Sequence, residues 1–308
     1  EGGVRVAFIS MTTMEKGFTV ANLDAEGLKN SLLITFMKEK SNYRDGFVSS
    51  KAINALTSYK VSDIDAIKNT IYDIYTDMLT EEINFLAKVK DKWSPNKKYM
   101  VKFPANYTEL KANLADEKTL NVLLTIEGAH AFGNALPLPD IQAGRKNKHK
   151  IDNHNVLIGN AFCKNIKHAR TSLPLPILSV GICHHFWNGL AGHSRSLANL
   201  MLGLMNQEEG LHGPLLDSGR MVIDEFAKTD YDGKSVNRIH VDIKHMSVQC
   251  RKDYYAYRKS KASLRNTPIL CSHTGISMSY PTLDQWIQFV AKNPDEKISK
   301  DIQVGEYY

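Results

Sequence analysis

The chain has 308 residues, 43% of them hydrophobic and 23% charged, which is the balance of an ordinary globular protein and enough length for one α/β barrel. Its formal charge of +6 comes from 39 basic residues scattered among 33 acidic ones, and nothing aromatic is interleaved with its one basic cluster, Arg145 to Lys150, so nucleic acid is not an expected partner. No apolar run approaches the roughly 18 residues of a membrane helix, so no membrane span is expected.

The chain opens Glu1-Gly2-Gly3-Val4, without the charged and apolar segments of a secretory signal. A cytoplasmic location is favoured, with a processed secretory or periplasmic protein as the alternative. The four cysteines, Cys163, Cys183, Cys250 and Cys271, show no CxxC spacing and are expected to be reduced. Cys183 and Cys271 lie in apolar runs, where a small buried hydrophobe is the expected role.

In chain order, a short apolar strand is predicted over 4–10 and a helix over 23–40. A long amphipathic helix is predicted from Ser62 to about Lys90. Its apolar stripe is Ile64, Ile67, Ile71, Ile74, Met78, Phe85 and Val89, and Ser62 with Asp65 resembles a capping box. A strand over 99–103 and a helix over 107–114 lead to a strand ending at Glu127. Residues 136–172 are polar and weakly periodic, and are expected to be a long loop or insertion. Leu173-Pro174-Leu175-Pro176 then enters a fourth strand that runs through Cys183. Helices over 194–209 and 217–227 precede a strand ending at His245. A helix over 251–263 precedes a strand ending at His273, and a last helix is predicted over 283–291. This alternation predicts an α/β fold with a parallel sheet or barrel, and no linker or repeat divides residues 1–308 into more than one domain.

Glu127, His245 and His273 each follow an apolar strand run, and the pair His184-His185 follows another. In a parallel barrel the chemistry gathers where strands end. Carboxylate oxygen and imidazole nitrogen are donors that zinc takes, and a catalytic zinc site keeps a position open for water. A histidine at a strand end is more often a hydrogen-bonded structural residue, but three ligands with the same placement on separate strands point to a metal. Gly128 removes a side chain where another group would approach the carboxylate.

Ile126-Glu127-Gly128-Ala129-His130, Gly210-Leu211-His212-Gly213, Val241-Asp242-Ile243-Lys244-His245-Met246-Ser247 and Pro268-Ile269-Leu270-Cys271-Ser272-His273-Thr274 follow one another in this order. Together they resemble the ordered motifs of the membrane (renal) dipeptidase family, binuclear zinc peptidases of the amidohydrolase barrel group. The resemblance runs from about residue 60 to 277. It implies a TIM-type (β/α)8 barrel and two Zn2+ ions in the complete protein. It makes Glu127 the glutamate that bridges them, and His245 and His273 the histidines that hold the second. The pair His184-His185 falls where the family has a histidine that contacts substrate and stabilises the tetrahedral intermediate, and His184 is the favoured member.

Parts of the family pattern have no match. No His-x-Asp pair precedes Val4, no late aspartate is reached before Tyr308, and no arginine follows between Thr274 and Gln285. The first and last strands of the barrel are therefore expected to be missing from this chain. The expected function is hydrolysis of a dipeptide or related small peptide-like substrate through a metal-activated water, with a homodimer as the open assembly. The alternative is a catalytically silent barrel that serves as a binding or scaffold protein.

Overall fold

The computed structural model describes residues 3–15, 50–57, 59–68, 73–133, 148–196, 207 and 209–273. Strands β1 (Val6–Met11), β2 (Met100–Lys102), β3 (Thr119–Ile126), β4 (Ile177–Gly181) and β7 (His240–Asp242) form one parallel sheet. Its order is β1-β3-β4-β7, with β2 pairing the first residues of β3. A small antiparallel ribbon, β5 (Asp230–Tyr231) with β6 (Lys234–Ser235), lies outside it. The chain is thus a mixed α/β protein with a parallel sheet, as the alternating pattern predicts.

β3 reads Thr-Leu-Asn-Val-Leu-Leu-Thr-Ile and is covered along most of its length, the nearly continuous apolar run expected of a strand in a parallel sheet. The register aligns Met11 with Ile126, Ile126 with Val180 and Val180 with Val241. The residues that follow this row leave the sheet together, on its carboxyl edge. A bridge from Asp242 to Leu270 brings the segment before His273 to the same edge.

The predicted helices over 107–114 and 217–227 correspond to α4 (Tyr107–Asn113) and α6 (Asp217–Ala227). Asn106 caps α4 by accepting the Glu109 amide at 3.0 Å. The helix predicted over 251–263 starts earlier, as α7 (Val248–Ser260), because Ser247 accepts the Cys250 amide and caps it; α8 (Ala262–Arg265) follows.

Two expectations are corrected. The loop expected over 136–172 contains α5 (Lys148–Ser172), while its first part lies outside the described residues. Ile158, Phe162, Ile166 and Ala169 recur at helical spacing, are buried, and pack toward Val222, Ile223 and Phe226 of α6. Burying an isoleucine or phenylalanine side chain contributes roughly 1.5–3 kcal/mol. Helix against helix is close here, since a side chain on Gly159 would meet Met221 Sδ at 2.7 Å.

The second correction is to the single helix expected from 62 to 90. It is broken into α2 (Val61–Lys68), a π-helical turn (Ile74–Thr80) and α3 (Glu81–Ala87), preceded by α1 (Ser50–Thr57). A π turn inserts an extra residue and rotates the apolar face. Ile64, Ile67, Ile74 and Met78 are buried as expected and Ile71 lies outside the described residues, but Leu79 and Ile83 take the next core positions while Phe85 and Val89 face solvent. The capping box does not form, because Asp65 accepts from Ser50 and the Ser62 hydroxyl turns to Asp63.

The helices expected over 23–40 and 283–291, and most of that over 194–209, lie outside the described residues; 194–196 are not helical. Cys183 is buried and Cys271 half-buried, and none of the four cysteines forms a disulfide among the described residues. Among the described residues no helix is long and apolar enough to cross a membrane.

Candidate metal centre

Glu127 is delivered by β3. Its amide donates to Met11 O at 2.8 Å, so the residue leaves the sheet beside the end of β1. Gly128 follows with φ of 102°, and a side chain there would overlap the His130 ring and come within 2.9 Å of His184 Cβ. Only glycine fits both the backbone and the space.

His245 is delivered by the turn after β7, in the left-handed region at φ 63°. A histidine rarely adopts this conformation without a compensating arrangement. Here the backbone is held on both sides, since the Ser194 amide donates to His245 O at 2.8 Å and the Ser247 amide to Gly192 O at 3.0 Å. His273 is brought in by the Asp242 carboxylate, which accepts the Ser272 amide at 3.2 Å, and by the Ser272 hydroxyl at 2.9 Å from His273 Nδ1.

The three side chains converge. Glu127 Oε1 lies 3.2 Å from His245 Nε2 and 3.2 Å from His273 Nε2, and one donor atom from each residue falls within 4.8 Å of the other two. The other carboxylate oxygen accepts from the Thr12 hydroxyl at 3.2 Å. The hydrogen bond from His245 holds the Glu127 carboxyl down at about 2; burial opposes this, and the charges of His184, His245 and His273 reinforce it. One carboxylate and two imidazoles are a donor set that zinc accepts, and the exposed ring of His273 leaves a side open. The residues present therefore fit a divalent ion.

His184 and His185 lie in the turn beyond β4 but differ in what they touch. His184 Nε2 points to Glu127 Oε1 at 3.6 Å and its Nδ1 lies 2.6 Å from Glu15 Oε1. The His185 ring packs on that of His184 at 3.8 Å between centroids, and its Nδ1 lies 2.6 Å from Ser196 Oγ. Of the pair, His184 aims a ring nitrogen at Glu127, while His185 meets the cluster through the His245 ring at 5.3 Å between centroids.

Thr12, Glu15 and His130 are not evident as site residues in the sequence. Glu15 is buried, and accepts the amides of His185 at 3.1 Å and Phe186 at 2.9 Å. Burial alone would raise its carboxyl, but His130, His184 and His185 hold it far below the usual range. His130 Nε2 lies 3.0 Å from Thr13 O, tying the turn after Gly128 to the segment after β1. One acid past an apolar run is no signal among 33 acidic residues.

Burial, with the charge of His184, lowers the His185 imidazole to about 3, and burial lowers that of His130. An imidazole with a depressed folded pKa takes up its proton first in the unfolded chain. Its contribution to stability is complete above the ordinary pKa of about 6.5 and is lost as pH falls toward about 3. The metal-free protein is expected to lose stability from about pH 6.5 downward, and His185→Asn to make that decline shallower. Urea unfolding between about pH 7.5 and 4 reads both, and equal slopes for the two proteins would reject the assignment.

Compared with known family models, curated proteins and solved structures, the chain matches none.

Proposed function

We propose that the chain is a metal-dependent hydrolase of the dipeptidase type, carried on a TIM-type (β/α)8 barrel, that cleaves the amide bond of a dipeptide or related small substrate. One observation carries the reading. Glu127, His245 and His273, far apart in sequence, place their donor atoms within 4.8 Å of one another at the carboxyl edge of a parallel sheet.

Glu127, His245 and His273 would hold the ion. A bound zinc ion supplies a Lewis acid and lowers the pKa of water to about 7. The chain's own groups have separate tasks. Glu127 is ionised at neutral pH and supplies the negative charge of the centre, while Thr12 fixes its second oxygen. His184 stands beside the cluster, where a ring nitrogen stabilises charge that develops on a substrate carbonyl. His185 closes the flank of His184, and the open side at His273 is the route for substrate.

The test is to strip the protein of metal, titrate it with Zn2+, and follow hydrolysis of a dipeptide panel that also includes an N-acyl amino acid and a lactone. Zinc-dependent cleavage of a dipeptide is expected. No bound metal and no cleavage would overturn the reading in favour of a binding or scaffold protein, and preference for a lactone or acyl amino acid would move the substrate class.

A further inference from the structure

We infer that Glu15 is a positioning residue that fixes the ring of His184 against the Glu127 cluster. Its consequence for catalysis rests on the hydrolase reading above, whereas its geometry does not.

Glu15 lies just beyond β1, is 4% exposed, and spends its carboxylate on the turn after β4. Oε1 takes the His184 ring at 2.6 Å and the His185 amide at 3.1 Å, while Oε2 takes the Phe186 amide at 2.9 Å and lies 4.0 Å from His130 Nδ1. A carboxyl at this depth is tolerable only when paired and hydrogen-bonded. An ionised carboxylate can only accept, so the ring nitrogen facing it, Nδ1, carries the proton. That leaves Nε2 as the atom directed at Glu127, 3.6 Å away, where it needs a hydrogen of its own to donate to a developing oxyanion.

Both the hydrogen on Nδ1 and the direction of the ring are set by one side chain. The two amides fix the backbone from which His184 projects, and the contact at Nδ1 stops the ring from turning over. The rings of His185 and His245, at 3.8 and 4.9 Å, hold its faces. An outer carboxylate that orients a working histidine is a general device, and its removal costs about 10–100-fold in affinity or activity. Glutamine cannot reproduce it. An amide has one acceptor oxygen for three donors, and its NH2 would confront either the Phe186 amide or the His184 Nδ1–H.

The experiment combines two readouts on the full chain: 15N NMR of the histidine rings, and steady-state kinetics with Zn2+ on the dipeptide cleaved best. In the wild type a protected Nδ1–H resonance is expected that disappears in His184→Ala. Glu15→Gln is expected to remove or shift it and to lower kcat about 10–100-fold, with KM and zinc content little changed. Glu15→Asp, which keeps the charge on a shorter arm, is expected to fall between, and carries the test if Glu15→Gln does not fold. In a His184→Ala background the Glu15 substitution is expected to have almost no further effect on kcat. An unchanged Nδ1–H resonance in Glu15→Gln, or an undiminished kcat loss in the His184→Ala background, would overturn the inference. If no substrate is cleaved, the hydrolase reading fails and the ring resonance alone decides the role of Glu15.

Discussion

Glu127→Gln is expected to lower the affinity of the centre for zinc more than about 100-fold and to abolish zinc-dependent hydrolysis, while the chain stays folded. The magnitude follows from what the side chain does. Glu127 Oε1 is the atom on which His245, His273 and His184 converge, at 3.2, 3.2 and 3.6 Å. Changes behind a ligand already cost about 10–100-fold, so replacing the only charged donor of the set costs more. The fold is expected to survive because the side chain keeps 24% of its surface in solvent and glutamine has the same shape. Equilibrium dialysis and circular dichroism read the two halves of this expectation. Equal zinc affinity for the two proteins would remove the metal centre as the basis of function.

The second large effect is expected at Gly128. Gly128→Ala combines a left-handed backbone, φ 102°, with collision against the His130 ring and His184 Cβ. Gly233→Ala is the internal control, since its φ is 79° and nothing lies within 4 Å of the added carbon. The control is expected to lose only the conformational part, about 1 kcal/mol. Gly128→Ala is expected to lose at least twice that by urea unfolding, because His130 and His184 must move, and about 10-fold or more in zinc affinity, because the backbone that carries Glu127 shifts with it. Similar losses in the two variants would mean that the space around Gly128 is not tight.

These contrasts explain what the sequence conveys and what it withholds. The end of β3 and the extents of α4 and α6 are legible because apolar periodicity acts locally, over a few residues. Glu127, His245 and His273 are legible for a similar reason, since each stands at or just past the end of an apolar run. α5 was hidden although Ile158, Phe162, Ile166 and Ala169 form a stripe, because the polar remainder of its 25 residues dilutes the pattern. The π turn at 74–80 was hidden because one inserted residue changes phase without changing composition. Glu15 and His130 are in a different category. Their meaning arises from contacts across long stretches of chain, such as Glu15 to His184 and His130 to Thr13, and no local pattern encodes those.

The same distances govern when the centre comes into being as the chain folds. Thr12 meets Glu127 across 115 residues, Glu127 meets His245 across 118, and Glu15 meets His184 across 169. Contacts of such high order are slow to form, because each closes a long loop whose entropy must be met before the contact stabilises anything. The strand-end cluster is then an object of the completed sheet, with no early nucleus of its own. A ligand gripped there is expected to act as a latch, leaving the folding rate nearly unaltered and lengthening the lifetime of the folded state, and folding and unfolding rates with and without Zn2+ check it.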